Sequence, residues 1–390
     1  MKVGIAKEIG QNERRVAVTP ESARQIKAAG CEVLLETGAG AGSFFEDRAY
    51  EEAGASIVPG TADFWSRADV VLKIQPPLPN VALKAHEAEL VREGAALICM
   101  LRPLSNIDAV KILARRRVTS FSMDMMPRTT RAQRMDALSS MSTIAGYKAV
   151  LLASDTLPKI FPMLTTAAGT LAPSRVLVVG AGVAGLQAIA TARRLGAVVE
   201  AYDVRPAVKE EVQSLGAKFV GPELKESEAQ DEQGYAKALS PEAQRQGMEM
   251  LQQRIAQADV VISTARVPGL KAPRLIPADS VAKMKPGSVI VDLAADMGGN
   301  CELTQPGETV VRHDVTIHGP VRLASTVPVH ASQMYSRNIT AFLLHITKEG
   351  ALHLDWADDI TSATCVTRDG QIVHEPTRRR AEGAATAAAG

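Results

Sequence analysis

Short apolar runs recur along the chain with room for a helix between each pair. KVGIAKEI comes first, then CEVLLETG, DVVLKIQPP, AALICML and VTSFSMD. Each is a short apolar or β-branched run, separated from the next by a helical stretch, and reads as a strand. Between the first two lies TPESARQIKAAG, which predicts a helix. Thr19 is its N-cap, Pro20 holds the first helical position and Gly30 falls just past the end. Strands alternating with helices predict a parallel sheet in an α/β domain.

The character shifts near Met141. STIAGYKAVLLAS predicts a long apolar-rich helix, which Pro158 and Pro162 interrupt. After Ala172 and Pro173 a second series begins: RVLVVGAG, VVEAYDV, AKFV, ADVVISTA, SVIVDLA and VTIHG. A further helix over roughly 332–347 leads back toward the first domain. CVTRDGQIVH predicts a hairpin, because Asp369–Gly370 suits a type I′ turn. The expected organisation is a discontinuous first α/β domain, residues 1–143 plus 327–377, and a second domain at 144–326. The tail at 378–390 is low in complexity and reads as disordered or as a linker. One stretch breaks the rhythm. ELKESEAQDEQGYAKALSPEAQRQ, from Glu223, is polar and carries Gly234 and Tyr235 in its middle. It stands where a βα unit has a short connection, and reads either as a functional mobile loop or as an ordinary surface insertion.

Bulk properties narrow the function classes. A chain of 390 residues with 46% apolar content can build two or three cores. The formal charge of +1 provides no field of one sign, and aromatic residues are only 4%. Nucleic acid and an anionic membrane surface are therefore not indicated. Cys31, Cys99, Cys301 and Cys365 form no C-x-x-C pair, so no structural metal is expected and a reducing compartment fits. MKVGIAKEIG is strand-like rather than a signal peptide, and no apolar run reaches ~18 residues. The expectation is a cytoplasmic chain, still able to dock on a membrane complex.

RVLVVGAGVAGLQAIATARRLGAVVEAYDVR carries G-x-G-x-x-G at Gly180, Gly182 and Gly185. The motif alone is weak. Here it follows an apolar strand, opens a helix, and is followed by a second strand ending in Asp203, which is the dinucleotide fingerprint. Gly180 permits the tight turn, Gly182 the approach of backbone to pyrophosphate, and Gly185 close helix–strand packing. The helix start, with Val183 and Ala184 between the glycines, offers N–H groups and a positive dipole end to phosphates. Asp203, followed by Val204, stands where a carboxylate binds adenosine ribose hydroxyls, which favours NAD(H). Arg205 is a counter-signal, since a nearby arginine can accept a 2′-phosphate. Later strands end in STARVPG and VDLAADMGGN, so Thr264, Ala265 and Arg266 are expected to line the cofactor. Asp292 and Asp296 read equally as cofactor neighbours or as caps and turn residues.

A dehydrogenase acting on a ketone or imine also needs a positioned acid or base, most often histidine or lysine. Before residue 312 the only histidine is His86, read as a surface helix residue. His313 and His318 read as structural. Lys73 and Arg15 are candidates for holding a substrate carboxylate. Hydride transfer between two nicotinamides needs no such proton; it needs both rings close, their carboxamides fixed and water excluded. Amides, hydroxyls, a carboxylate and an arginine can fix a carboxamide. PRTTRAQRMDALSSMSTIAGYKAV, residues 127–150, concentrates them: Arg128, Gln133, Asp136 and Ser139. A solvated helix face with incidental caps is the plainer reading of the same run.

RAQRMDALSS, GYKAV, VVGAGVAGLQAIATARRLGA, YDVR, GYAK and VDLAADMGGNCE together resemble the NAD(H)-binding α chain of the proton-translocating NAD(P) transhydrogenases, over residues 1–377. The related alanine dehydrogenases share the GAGVAG turn and the ERRVA…TP and LK-x-x-P segments. They are expected to carry a catalytic histidine in the stretch matching ALICMLRPLSN, which has none here. The resemblance implies two doubly wound, Rossmann-like α/β domains with parallel sheets and NAD(H) in the cleft between them. It implies a homodimer on the cytoplasmic face of the inner membrane, held there by partner subunits. It implies Re/Si-specific hydride transfer to NADP(H) on a separate β subunit, coupled to proton movement through membrane-spanning α and β segments. It assigns Arg128, with Thr129 beside it, Gln133, Asp136 and Ser139 to the nicotinamide and its neighbours. It assigns Gly234 and Tyr235 to a loop closing over the nucleotide. The competing readings are a self-sufficient alanine-type amino-acid dehydrogenase and a non-enzymatic NAD sensor.

Overall fold

A computed structural model describes residues 1–60, 62–222, 240–266 and 271–387. The chain forms two compact units, one of residues 1–141 with 325 onward, the other of residues 142–324.

In the first unit eight strands form one sheet, in the order Gln371–Ile372, Cys365–Arg368, Thr119–Ser122, Ala96–Cys99, Val70–Leu72, Lys2–Ile5, Glu32–Glu36, Ser56–Val58. The last six are mutually parallel. The first strand in sequence lies inside the sheet, with the second and third to one side and the fourth to the other. That reversal is the topological switch point of a doubly wound sheet, and ligands lie outside the carboxyl ends there. Strand centres such as Val3, Ile5, Val71, Leu97 and Ile98 are fully buried, which explains why the strands read as unbroken apolar runs. Helix Pro20–Ala28 starts and stops where expected, although the Thr19 hydroxyl meets Ser336 Oγ at 3.3 Å rather than capping its own helix. Ring packing fixes the two tryptophans. Trp65 is buried edge-on to Phe64. Half-buried Trp356 is stacked on Phe121 at 6.3 Å, with the Arg368 guanidinium 4.3 Å from its ring centre.

The second unit has a seven-stranded sheet ordered Lys218–Val220, Val198–Tyr202, Arg175–Val179, Val260–Ser263, Val289–Asp292, Val315–His318, Thr309–Arg312. All neighbours are parallel except the final pair. Alternate residues of strand Arg175–Val179 feed two cores. Val176 and Val178 pack with Ala149, Ala153 and Ile189 on one face, and Leu177 and Val179 with Leu251 and Ile255 on the other.

Hairpin Cys365–Ile372 forms as expected. Arg368 pairs with Gln371, and Asp369 and Gly370 both have positive φ, 52° and 83°, as a type I′ turn requires. Other expectations need correcting. The tail is helical from Glu375 to Ala387, because alanines, arginines and an acidic first residue favour helix, and Thr377 and Ala381 are buried. Helix Pro328–His345 starts four residues earlier than the expected 332. The end of the Glu223 stretch belongs to helix Pro241–Gln257, whose N-cap Ser240 accepts the Ala243 N–H at 3.3 Å. LKAHEAEL is not one helix: Ala85–His86 pairs with Pro79–Asn80, and only Glu87–Leu90 is helical.

Candidate functional site

In the second unit the glycine-rich turn leaves the strand Arg175–Val179 at the switch point of its sheet. Gly180 has φ +94°, a conformation side chains disfavour. A Cβ on Gly185 would sit 1.9 Å from the Gly180 carbonyl oxygen, so strand and helix approach only because that atom is missing. Among the described residues a Cβ on Gly182 would meet nothing within 4 Å, and Gly182 is the N-cap of helix Val183–Arg194 with no described side chain bonded to the cap. Open space beside the first N–H groups of a helix is what a pyrophosphate needs. The residues present therefore fit a dinucleotide.

Asp203 shapes the turn as well as facing it. Its carboxylate accepts the Ala181 N–H at 2.7 Å and the Arg205 Nε and Nη2 at 2.9 and 2.8 Å, and it is 6% exposed. The side-chain bonds from Asp203 hold the Arg205 guanidinium above its already high pKa. Arg205 thus spends its charge on Asp203, which weakens the signal for a 2′-phosphate. Val204 packs against the apolar cluster around Tyr202. Thr264 donates its hydroxyl to the Gly180 carbonyl at 2.8 Å and so braces the turn. Ala265 is held at both backbone groups by buried Asn300: its N–H donates to Oδ1 at 3.1 Å, and its carbonyl accepts from Nδ2 at 2.9 Å. Arg266 donates to the Leu293 carbonyl and pairs with Asp296 at 2.8 Å. Asp292, fully buried, accepts from Ser263 Oγ, Thr304 Oγ1 and the Ala294 and Cys301 N–H groups, so it is a turn organiser. Asn300 has no motif to announce it; only its place just beyond VDLAADMGG hints at a link to the neighbouring strand end.

In the first unit the polar run follows strand Thr119–Ser122 at the carboxyl edge. It is irregular until a tight turn, Gln133–Met135, and helix Ala137–Thr156. Ala132 and Met135 are buried; Arg128, Thr129, Arg131 and Gln133 are exposed. Asp136 is the helix N-cap, accepting the Ser139 N–H at 2.8 Å and its hydroxyl at 2.5 Å. Asn338 donates to the Arg134 carbonyl at 2.9 Å, and Arg131 pairs with Asp358 and Asp359. Asn338 and Asp358 lie about two hundred residues away in sequence, beyond the reach of any local pattern. Gly234 and Tyr235 lie outside the described residues.

Lys73 and Arg15 differ from the expected substrate cations. Lys73 is fully buried between Glu87 at 3.2 Å and Glu8 at 3.4 Å. Arg15 is bidentate to Glu13, at 2.7 and 2.5 Å, and Gln75 also donates to Glu13. Three carboxyls thus face two cations inside the unit. Burial, helped by Glu13 and Glu87, pushes Glu8 up to about 7 against the pull of Lys73, while the bonds from Arg15 and Gln75 outweigh burial and hold Glu13 at about 2. His86 caps helix Glu87–Leu90, its Nδ1 accepting the Ala88 N–H at 3.1 Å. His318 is bonded between Thr156 and Thr309.

Two doubly wound sheets, one carrying a glycine turn with an acidic second-strand end, define a two-domain dinucleotide-binding α/β protein. The chain belongs to the alanine dehydrogenase/PNT family: the family's N-terminal domain matches residues 4–145 and its C-terminal domain residues 149–375. It is 46% identical over 377 residues to an NAD(P) transhydrogenase alpha-subunit chain of Rhodospirillum rubrum, covering 96% of this chain and 98% of that one. The solved transhydrogenase from Sinorhizobium meliloti matches with a TM-score of 0.85 at 42% identity, over 96% of this chain and 100% of that one. A solved L-alanine dehydrogenase has nearly the same fold, with a TM-score of 0.82 over 98% and 99% of the two chains, but only 27% identity. Fold is common to both branches, and sequence places this chain with the transhydrogenase α subunits, as an oxidoreductase component of that kind.

Proposed function

We propose that this chain binds NAD(H) and exchanges hydride directly with NADP(H) held by a partner β subunit. The step is Re/Si-specific and is coupled to proton translocation by membrane-spanning segments of the complex. The chain works peripherally, at the cytoplasmic face, through those partners. The observation that carries the reading is the Arg128–Ser139 run: exposed amide and guanidinium groups on a segment anchored by Ala132, Met135 and the Asp136 cap.

NAD(H) supplies or accepts the hydride. The chain's residues orient it. Gly180, Gly182, Val183, Ala184 and Gly185 leave room and N–H groups for the pyrophosphate, and Asp203 with Val204 and Arg205 meets the ribose. Thr264, Ala265 and Arg266 border the same strand ends. Arg128, Thr129 and Gln133 fix the carboxamide, with Asp136 and Ser139 setting the segment's direction. Gly234 and Tyr235 close over the nucleotide. Orientation of this kind can supply several orders of magnitude of rate without any proton transfer. The domains are discrete, 1–143 plus 327–377 and 144–326, and the working form is a homodimer.

Reconstitution tests the reading. The chain is mixed with an NADP(H)-binding β-chain domain, and transfer from NADH to an NADP+ analogue is followed, with each protein alone as control. Fast transfer only in the mixture is expected, and Gln133→Ala should slow it at least about tenfold while NADH affinity changes little. Turnover of pyruvate, ammonium and NADH by the chain alone would instead favour the alanine-type dehydrogenase. Tight NADH binding with no transfer in either assay would favour a sensor.

A further inference from the structure

Arg131 lies two residues before Gln133, yet its guanidinium turns away toward the C-terminal part of the same unit. Its Nη2 donates to Asp358 and, at 2.9 Å, to Asp359. A lone surface pair of this kind is worth little. Asp358, however, is no surface group. Its side chain is 13% exposed. It also accepts from His345 Nε2 at 2.9 Å, from the Thr361 N–H at 2.8 Å and from the Thr361 hydroxyl at 2.9 Å. These bonds outweigh burial and hold the carboxylate well below its usual pKa. Asp358 is thereby locked as the N-cap of helix Asp359–Thr364, and helix Pro328–His345 ends at the histidine that braces it. Arg131 is tied to a fixed charge. A network of this kind orders a long side chain that would otherwise sample many rotamers.

The clasp reaches the run at a sensitive point. Buried Ala132 follows Arg131, the Arg134 carbonyl is held by Asn338, and Met135 is buried ahead of the Asp136 cap. Gln133 projects from the middle of these fixed points. We propose that Asp358, acting through Arg131, is a positioning residue for Gln133 in hydride transfer. The proposal rests on the reading of Gln133 given above. Neither Asp358 nor Arg131 need touch the nucleotide. Their work is to narrow the range of directions that Gln133 samples.

Arg131→Ala, Asp358→Asn and the double variant test it in the full chain mixed with an NADP(H)-binding β-chain domain, with Gln133→Ala as reference. Single-turnover transfer from NADH and the NADH dissociation constant are both measured. Each single variant is expected to slow transfer about 5–10-fold with NADH affinity within about 2-fold, and the double variant to be no slower than the worse single one. Arg131→Ala leaves the Asp358 cap intact, so a loss confined to Asp358→Asn would overturn the proposal in favour of helix capping. Parallel loss of affinity and rate, or additive losses, would overturn it as general loosening. Unchanged transfer in Arg131→Ala beside a slow Gln133→Ala would sink the clasp and leave the reading of Gln133 standing. A fast Gln133→Ala would bring down both.

Discussion

A methyl group at position 185 has nowhere to go, whereas one at position 182 has open space. Both glycines belong to one motif, but only the first is demanded by the fold. Gly185→Ala would place Cβ 1.9 Å from the Gly180 carbonyl, so strand and helix must separate. A loss of about 2–3 kcal/mol in denaturant unfolding is expected, together with loss of NADH binding. Gly182→Ala, with nothing among the described residues within 4 Å of its Cβ, should unfold within about 0.5 kcal/mol of the parent yet bind NADH at least tenfold more weakly. Equal destabilisation of the two, or unaltered NADH binding in Gly182→Ala, would contradict the ligand role given to that opening. The motif itself was legible in the sequence. What Asp203 does was only half legible, because spacing placed the carboxylate but could not reveal its bonds to the Ala181 N–H and to Arg205.

At the scale of elements, the central strands were easy to read because both faces are buried. The strands that escaped notice border solvent. Ser56–Val58 and Thr309–Arg312 are edge strands with few buried side chains, so they carry no apolar run. The hairpin Leu164–Thr166 with Gly169–Leu171 is a plainer case, exposed at every residue. Met163, just ahead of it, at 62% exposure and Leu171, its last residue, at 58% give it apolar surface. A two-stranded hairpin of this length is marginal by itself in water. Its conformation and exposed side chains fit burial against a second copy of the chain in the proposed homodimer. Met163→Asp with Leu171→Asp should therefore shift sedimentation from dimer toward monomer, with little change in the secondary structure of the isolated chain. A variant that remains fully dimeric would assign the interface elsewhere.

Over the whole molecule, stability should carry the mark of the buried charges. Glu8 has a folded-state pKa of about 7, above its ordinary 4.5. Its contribution is whole below pH 4.5 and is lost as pH rises toward 7. Glu13, held at about 2, works the other way: its contribution stands above 4.5 and is lost as pH falls toward 2. Glu8→Gln removes the first dependence and keeps an acceptor for the Ile74 N–H, which Glu8 receives at 2.6 Å. Relative to the parent, the variant should gain on the order of 3 kcal/mol between about pH 4.5 and 7.5, read from urea unfolding at several pH values. A difference that does not change with pH would mean that Glu8 stays ionised in the folded chain. None of this was visible in KEIGQNERRVAV or VLKIQPP, where Arg15 and Lys73 looked available. Lys73 is neutralised in part by Glu87, which arrives from a separate turn, and Arg15 by Glu13.

The two tryptophans make the protein a source of its own optical signal. Trp65 is sealed in the core of the first unit and should emit at short wavelength, indifferent to events at the surface. Trp356 packs with Phe121 and the Arg368 guanidinium, two residues ahead of Asp358. With Trp65 replaced by Phe, the remaining indole would report by colour and intensity on the ground that holds Arg131. Its emission overlaps the absorption of a reduced nicotinamide, so light absorbed at Trp356 could also report when NADH is near.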